Sequence, residues 1–306
     1  PYHKIWFAGH SIESISRLMR YFTPVEIPPN HWDMFDTARR YDEVGDLYHA
    51  VKLYKRVAKL VPDWVDPFRA LGAIYSKRLE WKPAYHYWQK TVSLAAEDRE
   101  AWWQLGIAAT GLSKLGIAQA VWNKFGLDKI DLSKPLGLRI QHQDGFEVLW
   151  MQCLDPGRAR IMSIPHPTSG LRYRHLMLYD RRDVVGTHVV SNRRVAIFNG
   201  LAPIKASPFQ THSCLLHTGE EGMISQLEKL CHEAGIGFEV WSNATRSMTP
   251  ENSAAFPEYY SNLLPKDQAE TALVAMAAIH PAEIERVLND WQIISLGTYS
   301  DLRAYH

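Results

Sequence analysis

Apolar residues recur at helical spacing over residues 31–131, and the whole pattern repeats every 34 residues. Small residues stand at Ala50, Ala84 and Ala118, and an aromatic residue follows four positions after each. A second small residue lies sixteen positions before each aromatic residue, and a large apolar residue lies four positions before that small one. These further positions are Tyr54, Trp88 and Trp122; Ala38, Gly72 and Gly106; and Met34, Phe68 and Trp102. A fixed period of this length predicts helix pairs that stack on one another.

The order of large, small and aromatic residues resembles the tetratricopeptide repeat, whose 34-residue unit is a pair of antiparallel helices. The small residue lets the partner helix approach closely, and the aromatic residue fills the groove beside it. The resemblance covers residues 31–131 in three units and implies an all-α superhelix. We expect residues 1–30 to cap the first repeat through the amphipathic stretch Ile12–Phe22.

The resemblance also implies a binding surface, because the first helix of each unit lines a concave face that takes an extended peptide or a partner helix. The residues implied to bind the partner are Trp32, Phe35, Arg39, Arg69, Ala73, Trp103 and Ile107. One subgroup of the family clamps a C-terminal carboxylate with Lys and Asn, and this chain departs from it at Phe35, Arg39, Ala70, Glu100 and Gln104. A receptor for chaperone tails is therefore not expected. For Trp32 and Trp103 the alternative, burial against the N-terminal segment, stays open.

The pattern changes at the polar junction Asp131–Pro135. Over residues 136–206 short runs rich in β-branched and aromatic residues alternate with turn residues, which predicts an antiparallel sheet or a small barrel. The runs are Leu138–Gln141, Phe146–Cys153, Arg158–Ile164, His175–Tyr179, Thr187–Val190 and Val195–Phe198.

Residues 207–306 form two successive β-α-β patterns, which predict a ferredoxin-like α+β unit. The first pattern is the strand Thr211–His217, the helix Glu220–Ala234 and the strand Ile236–Trp241. The second is the strand Thr271–Ile279, a helix from Pro281 to Trp291 and the strand Ile293–Tyr299. Thr271–Ile279 is rich in alanine, so a helix is the alternative there.

Composition limits the possible classes of protein. The chain has 306 residues, of which 46% are hydrophobic, and a formal net charge of +1. A disordered chain is excluded, and near-neutrality gives no broad attraction to nucleic acid or to anionic membranes. Three irregularly spaced cysteines indicate a reducing compartment, and no apolar run approaches the length of a membrane span. We therefore expect a cytoplasmic protein without a membrane segment.

The second half of the sequence gives only weak indications of a metal, nucleic-acid or catalytic site. A cluster of His212, Cys214, Cys231 and His232 has ligand types that zinc prefers, but its spacing fits no zinc pattern, and buried cysteines with surface histidines are the favoured interpretation. A basic group offers a nucleic-acid or acidic-partner site as an alternative to solvated hairpin edges. That group is Arg172, Arg174, Arg181, Arg182, Arg193 and Arg194. No catalytic motif was found.

The sequence thus predicts an α+β multidomain protein with four parts, at residues 1–30, 31–131, 136–206 and 207–306. We expect an adaptor, chaperone-like or regulatory protein, not an enzyme, that binds another protein in the repeat groove without a cofactor or metal. A small-molecule sensor with its ligand in the C-terminal α+β part is the main alternative, and an enzyme there is the third.

Overall fold

The computed structural model describes residues 28–142, 145–190, 193–243, 247–248 and 271–305. The chain divides into two compact units, with the boundary between Gly126 and Leu127. Both predicted C-terminal parts belong to the second unit. The predicted capping segment lies outside the described residues except for its last three.

Six consecutive helices make up the described part of the first unit, which confirms a helical repeat. They are α1, Pro29–Glu43; α2, Leu47–Leu60; α3, Val65–Lys77; α4, Trp81–Leu94; α5, Arg99–Gly111; and α6, Leu115–Lys124. Apolar spacing decides which side of a helix is buried: in α2 the buried residues Ala50, Tyr54, Val57 and Ala58 fall on one face. Asp46 and Asp98 cap α2 and α5 by accepting hydrogen bonds from backbone N–H groups of the first turn.

The turn inside each helix pair repeats in its backbone as well as in its sequence. Residues with a left-handed backbone occur at 34-residue intervals, at Gly45 (φ 81°), Leu79 (φ 58°) and Ser113 (φ 57°). The residue after each donates its N–H to the carbonyl five positions earlier, at 2.8–2.9 Å. These bonds join Asp46 to Tyr41, Glu80 to Tyr75 and Lys114 to Ala109. The backbone conformation of these turns therefore repeats every 34 residues, as the side chains do.

Packing between the two helices of a pair follows the prediction from the small and aromatic residues. A Cβ atom placed on Gly72 would lie 2.7 Å from the ring of Trp88, and one on Gly106 would lie 2.8 Å from Trp122. In the first pair the smaller Tyr54 stands where the others have Trp, and Ala38 stands in place of Gly; both are buried. The larger tryptophan ring is thus paired with glycine, and the smaller tyrosine ring with alanine.

Five strands of the second unit form a closed barrel: β1, Pro135–His142; β2, Gly145–Asp155; β3, Arg158–Ile161; β4, Leu176–Val190; and β5, Arg193–Lys205. Each strand pairs antiparallel with the next, and β1 pairs with both β2 and β5. An up-and-down set of five strands leaves the first and last running in the same direction, so the closing β1–β5 pair is parallel. The short strand β8, Ser247–Met248, pairs with β2.

The barrel confirms the predicted β-rich region and corrects two details. The predicted strands His175–Tyr179 and Thr187–Val190 are parts of the single strand β4. The polar residues 180–183 suggested a break, but β4 continues through them with register shifts against β5. The predicted strand Arg158–Ile164 ends at Ile161, where the chain leaves the sheet.

The remaining strands form a second sheet with two helices. Its elements are β6, Gln210–Leu216; α7, Glu221–Glu233; β7, Gly237–Val240; β9, Ala272–Ala278; α8, Pro281–Ser295; and β10, Tyr299–Tyr305. The strand order is β10-β6-β9-β7 with every neighbouring pair antiparallel. This is the split β-α-β arrangement of a ferredoxin-like unit, as the sequence predicts.

The segment 271–279 contains the strand β9, despite the helix propensity of alanine. All seven residues of β9 are buried, because β9 lies between β6 and β7 and both faces of the sheet are covered. One face packs against α7 and α8 through Val274 and Met276, and the other packs against Trp241 and Tyr173 through Leu273 and Ala275. Burial on both faces decided the structure of this segment.

The predicted strand Ile293–Tyr299 is wrong. Helix α8 continues to Ser295, so the side chains of Ile293 and Ile294 lie at its exposed end, and the chain turns at Leu296 in a left-handed conformation. The strand β10 begins only at Tyr299. A short apolar run does not distinguish a strand from a helix end.

None of the helices in the described ranges combines the length and the apolar character that a bilayer span requires.

Candidate functional site

The candidate binding residues of α1 and α3 lie at the surface of the first unit. Trp32 is 45% exposed, Arg39 and Ala73 are exposed, and Phe35 is half-buried. Phe35 and Arg39 are four residues apart on α1, so they share one face of that helix. We call Trp32, Phe35, Arg39 and Ala73 the first-helix surface.

An aromatic cluster supports the exposed ring of Trp32. Its ring centroid lies 4.5 Å from that of Trp64, and Phe35 lies 4.7 Å from Trp64 and 5.3 Å from Tyr54. Trp64 is only 4% exposed, and its indole N–H donates to Asp66 at 3.0 Å. The exposed tryptophan therefore rests on a buried aromatic base, which fixes its position while one side remains open to solvent.

The repeat pattern did not indicate that Trp64 supports the surface. It stands outside the 34-residue pattern, since Asp98 occupies the matching position one repeat later. The available signal was an isolated tryptophan directly before a predicted helix, and that signal alone does not indicate a role.

In the described part of the chain, the ion pairs of Arg39 are exposed. Its guanidinium lies 3.1 Å from Asp36 and 3.9 Å from Glu43, and all three side chains are at least 45% exposed. Pairs of this kind contribute little to stability, so a carboxylate of a partner can replace either one without a large cost.

Arg69 has a different environment. Its guanidinium donates to Asp66 and, at 2.8 and 3.0 Å, to Asp98. Burial raises the pKa of Asp98, but the hydrogen bonds from the Ala101 N–H and from Arg69 outweigh that effect and hold the pKa below its usual value. Arg69 thus ties α3 to the start of α5. Three donors of Arg69 are engaged inside the repeat, so we leave this residue out of the first-helix surface, and its assignment to partner binding stays a prediction.

Trp103 and Ile107 are also not at the surface, since they are 3% and 2% exposed. The ring of Trp103 packs edge-on against Trp122 at 5.2 Å and against Phe125 at 5.1 Å. Their positions in the third unit match those of exposed or half-exposed residues in the first two, yet here they contribute to the core. We therefore exclude both from the first-helix surface.

A sequence signal for this burial exists. Phe125 occupies the position held by Val57 and Thr91 in the earlier units. A larger aromatic side chain at that position covers the face of α5 that is more open in α1 and α3. The substitution marks the third unit as different from the other two.

No protein-family model and no curated protein matches this chain. A solved structure described as MamA protein is 17% identical with a TM-score of 0.27, and the match covers 34% of this chain and 61% of that one. A hypothetical protein from Neisseria gonorrhoeae is 10% identical with a TM-score of 0.24, covering 56% of this chain and 94% of that one. This chain spans about 61% of the length of the MamA structure. Likenesses at such scores do not establish a shared fold, so the contacts described above carry the interpretation.

The alternative metal cluster does not assemble. Among residues that the structure describes, no group of three or more His, Cys, Asp or Glu side chains is placed to hold a metal ion. Cys214 and Cys231 lie in the apolar core between the second sheet and its helices, and burial raises the pKa of each thiol to about 12.

Members of the basic group make contacts within their own unit. Arg181 donates to the hydroxyl of Tyr179 at 3.2 Å, Arg182 lies 3.9 Å from Asp180, and the guanidinium of Arg174 lies 5.3 Å from the ring centroid of Tyr173. These contacts favour a structural interpretation for the three arginines over a shared nucleic-acid surface.

Proposed function

We propose that this chain is a protein-interaction adaptor whose helical repeat is of the tetratricopeptide type. Two features support the repeat type: the 34-residue period of small and aromatic residues, and the matching period of left-handed turns at Gly45, Leu79 and Ser113. The contact between Gly72 and the ring of Trp88 is the packing that this repeat uses to bring its two helices together.

The observation that carries the proposed function is the exposed ring of Trp32 on a buried aromatic base. A large aromatic side chain that is held rigid and left half open is typical of binding surfaces, because it supplies apolar contact area at a small cost in conformational entropy.

The surface also indicates the chemistry of the partner. An apolar side chain of the partner fits against Trp32 and Phe35, and a carboxylate fits Arg39, whose present ion pairs are exposed. Ala73 leaves room for the partner backbone on α3. We therefore propose an extended segment or a helix that combines an apolar anchor with an acidic residue.

In this proposal the second unit adds a further contact or regulatory surface, and no catalytic step is assigned to the chain. A cytoplasmic location belongs to the same proposal and is supported by three buried, unpaired cysteines.

Affinity capture with the intact chain tests the proposal when wild type is compared with two variants. We expect Trp32→Ala to weaken capture of the partner and Ala73→Trp to abolish it, because a bulky ring on α3 fills the space for the partner backbone. Arg69→Glu is a poor probe, since it places a third carboxylate beside Asp66 and Asp98.

Gln89→Trp is the matched control for Ala73→Trp. Gln89 is exposed on α4, the second helix of the same repeat, so this variant adds the same ring elsewhere. Partners that survive Ala73→Trp, or that are lost equally with Gln89→Trp, would show that binding does not use the first-helix surface.

A further inference from the structure

A cleft of about 410 Å³ lies in the second unit, where α7 and β7 meet the segment between β3 and β4. Clefts of a few hundred Å³ are typical of small-molecule sites. Its walls come from different parts of the chain, so the cleft is a product of the tertiary fold. The partner-binding proposal does not use it.

Helix α7 forms one wall with four polar residues. Ser225, Glu228, Lys229 and His232 follow one another at intervals of three, one and three positions, which places them on one face of the helix. All four are exposed, whereas Leu227 on the opposite face is fully buried in the core. Among the residues that the structure describes, this polar face lines the cleft and does not belong to the buried core.

Apolar side chains form the base of the cleft. Tyr173 is 9% exposed and packs against the backbone of β7, where a Cβ on Gly237 would come within 2.9 Å of its ring. Met162, which is 40% exposed, and the partly buried Phe238 supply the apolar surface beside it. Glycine at position 237 thus allows the tyrosine ring to pack closely on the strand.

The wall opposite α7 is held in place by buried hydrogen bonds. The Ile164 N–H donates to Glu239 at 2.7 Å, the Trp241 indole N–H donates to the Ile164 carbonyl at 3.1 Å, and the His166 N–H donates to the buried Glu147 at 3.3 Å. These bonds fix the segment that carries Met162 to both sheets of the unit. The cleft is consequently preformed, which lowers the entropic cost of binding.

Hydrogen-bond donors that can hold an anion lie on the helix wall and beside the tyrosine. Lys229 and His232 present donors on α7, and the guanidinium of Arg174 lies 5.3 Å from the ring centroid of Tyr173. The only neighbour that the structure gives Lys229 as an ion-pair partner in the described residues is Glu233, at 3.9 Å and with both side chains well exposed. Among the described residues that line the cleft, Glu228 is the one carboxylate and Lys229 the one lysine or arginine.

We propose that this cleft binds a small carboxylate with a flat apolar or aromatic body. The body packs against Met162, Phe238 and the accessible edge of Tyr173, and the carboxylate accepts hydrogen bonds from Lys229 and His232. The second unit then has a ligand of its own, in addition to the partner that the repeat binds.

Saturation-transfer NMR and calorimetry on the intact chain test this proposal with defined probes. Phenylacetate and 3-phenylpropionate are the carboxylates, and phenethylamine is the probe of similar shape and opposite charge. We expect saturable binding of the carboxylates, at least tenfold weaker binding of the amine, and at least a tenfold loss of carboxylate affinity in Lys229→Glu. Ser225→Phe, which fills the cleft from an exposed helix position, should abolish binding.

Matched controls lie on α8 of the same unit. Arg286→Glu makes the same charge reversal and Asn289→Phe adds the same ring, each at an exposed position that does not line the cleft. Both should bind the carboxylates as wild type does, and a thermal melt of every variant verifies the fold. Absence of saturable carboxylate binding, equal binding of the amine, or wild-type affinity in Lys229→Glu or Ser225→Phe would overturn the proposal.

Discussion

Gly72 and Gly106 mark the points where the two helices of a repeat come closest. Because a Cβ on Gly72 would lie 2.7 Å from the ring of Trp88, we expect Gly72→Ala to lower the free energy of unfolding by about 1–3 kcal/mol through overpacking. Chemical denaturation of the intact chain measures the change.

Two further variants make this test specific. Gly116→Ala is the control, because a Cβ there meets no atom within 4 Å, and we expect it to stabilise helix α6 by up to about 1 kcal/mol. Trp88→Phe should reduce the cost of Gly72→Ala, since it removes part of the ring that collides. A double-mutant cycle without coupling would contradict the assigned contact.

Leu79 and Ser113 adopt a left-handed backbone that favours glycine, which the first repeat has at Gly45. We expect Leu79→Gly and Ser113→Gly each to raise the free energy of unfolding by up to about 1 kcal/mol, because the strain of a side chain at positive φ is removed. Gly45→Ala should lower it by a similar amount. Equal melting temperatures for all three variants and wild type would contradict a common turn geometry.

His175 is expected to make the second unit sensitive to acid. Burial, and secondarily the charge of Arg172, lowers the pKa of its imidazole below 6.5 in the folded protein. The unfolded chain therefore binds a proton at higher pH, so stability falls as the pH drops below about 6.5 and levels off below the folded-state pKa. His175→Gln should flatten this part of the stability–pH curve. Parallel curves for His175→Gln and wild type would rule out this role.

An ion-pair network links the second and third repeats. We expect Arg69→Ala to lower the free energy of unfolding by about 1 kcal/mol, an amount reduced by solvent screening because the arginine is 43% exposed. Its loss leaves the partly buried Asp98 without its cation. Arg39→Ala, which removes an exposed arginine of α1, should stay within about 0.5 kcal/mol of wild type. If both variants have the same stability, Arg69 does not join α3 to α5.

At the level of elements, periodicity predicted most of the fold. The helix pairs and most of the C-terminal strands follow from apolar spacing and turn residues, and the strand β9 followed from the symmetry of two β-α-β patterns. The failures have local causes. The polar residues 180–183 lie within β4 because pairing with β5 tolerates register shifts there, and Ile293 lies at an exposed helix end where an apolar run predicted a strand.

The candidate surface was only partly predictable from the sequence. The position of a residue in the repeat indicates which face of the helix it lies on, but not which side chains surround it. Arg39 and Ala73 are exposed as expected, while Trp103 and Ile107 at matching positions are buried beside Phe125 and Trp122. Arg69 points to the expected side of its helix, yet aspartates 3 and 29 residues away bind its guanidinium. The partner 29 residues away could not be predicted from the 34-residue repeat.

For the whole molecule, the structure describes a helical repeat followed by a β-rich unit in which a five-stranded barrel and a ferredoxin-like sheet share one compact body. We propose partner binding for the first unit and a small-ligand site for the second. The two assignments rest on different residues, so variants of one unit leave the other as an internal control.

Site-specific photo-crosslinking tests the central claim, that the first-helix surface binds a partner segment. A p-benzoylphenylalanine residue is introduced at position 73 of the intact chain, and in a separate sample at position 89, before irradiation with the captured partner. The account predicts a crosslink to one contiguous partner segment from position 73 and none from position 89. A crosslink from position 89 alone, or from neither position while the partner remains bound, would contradict it.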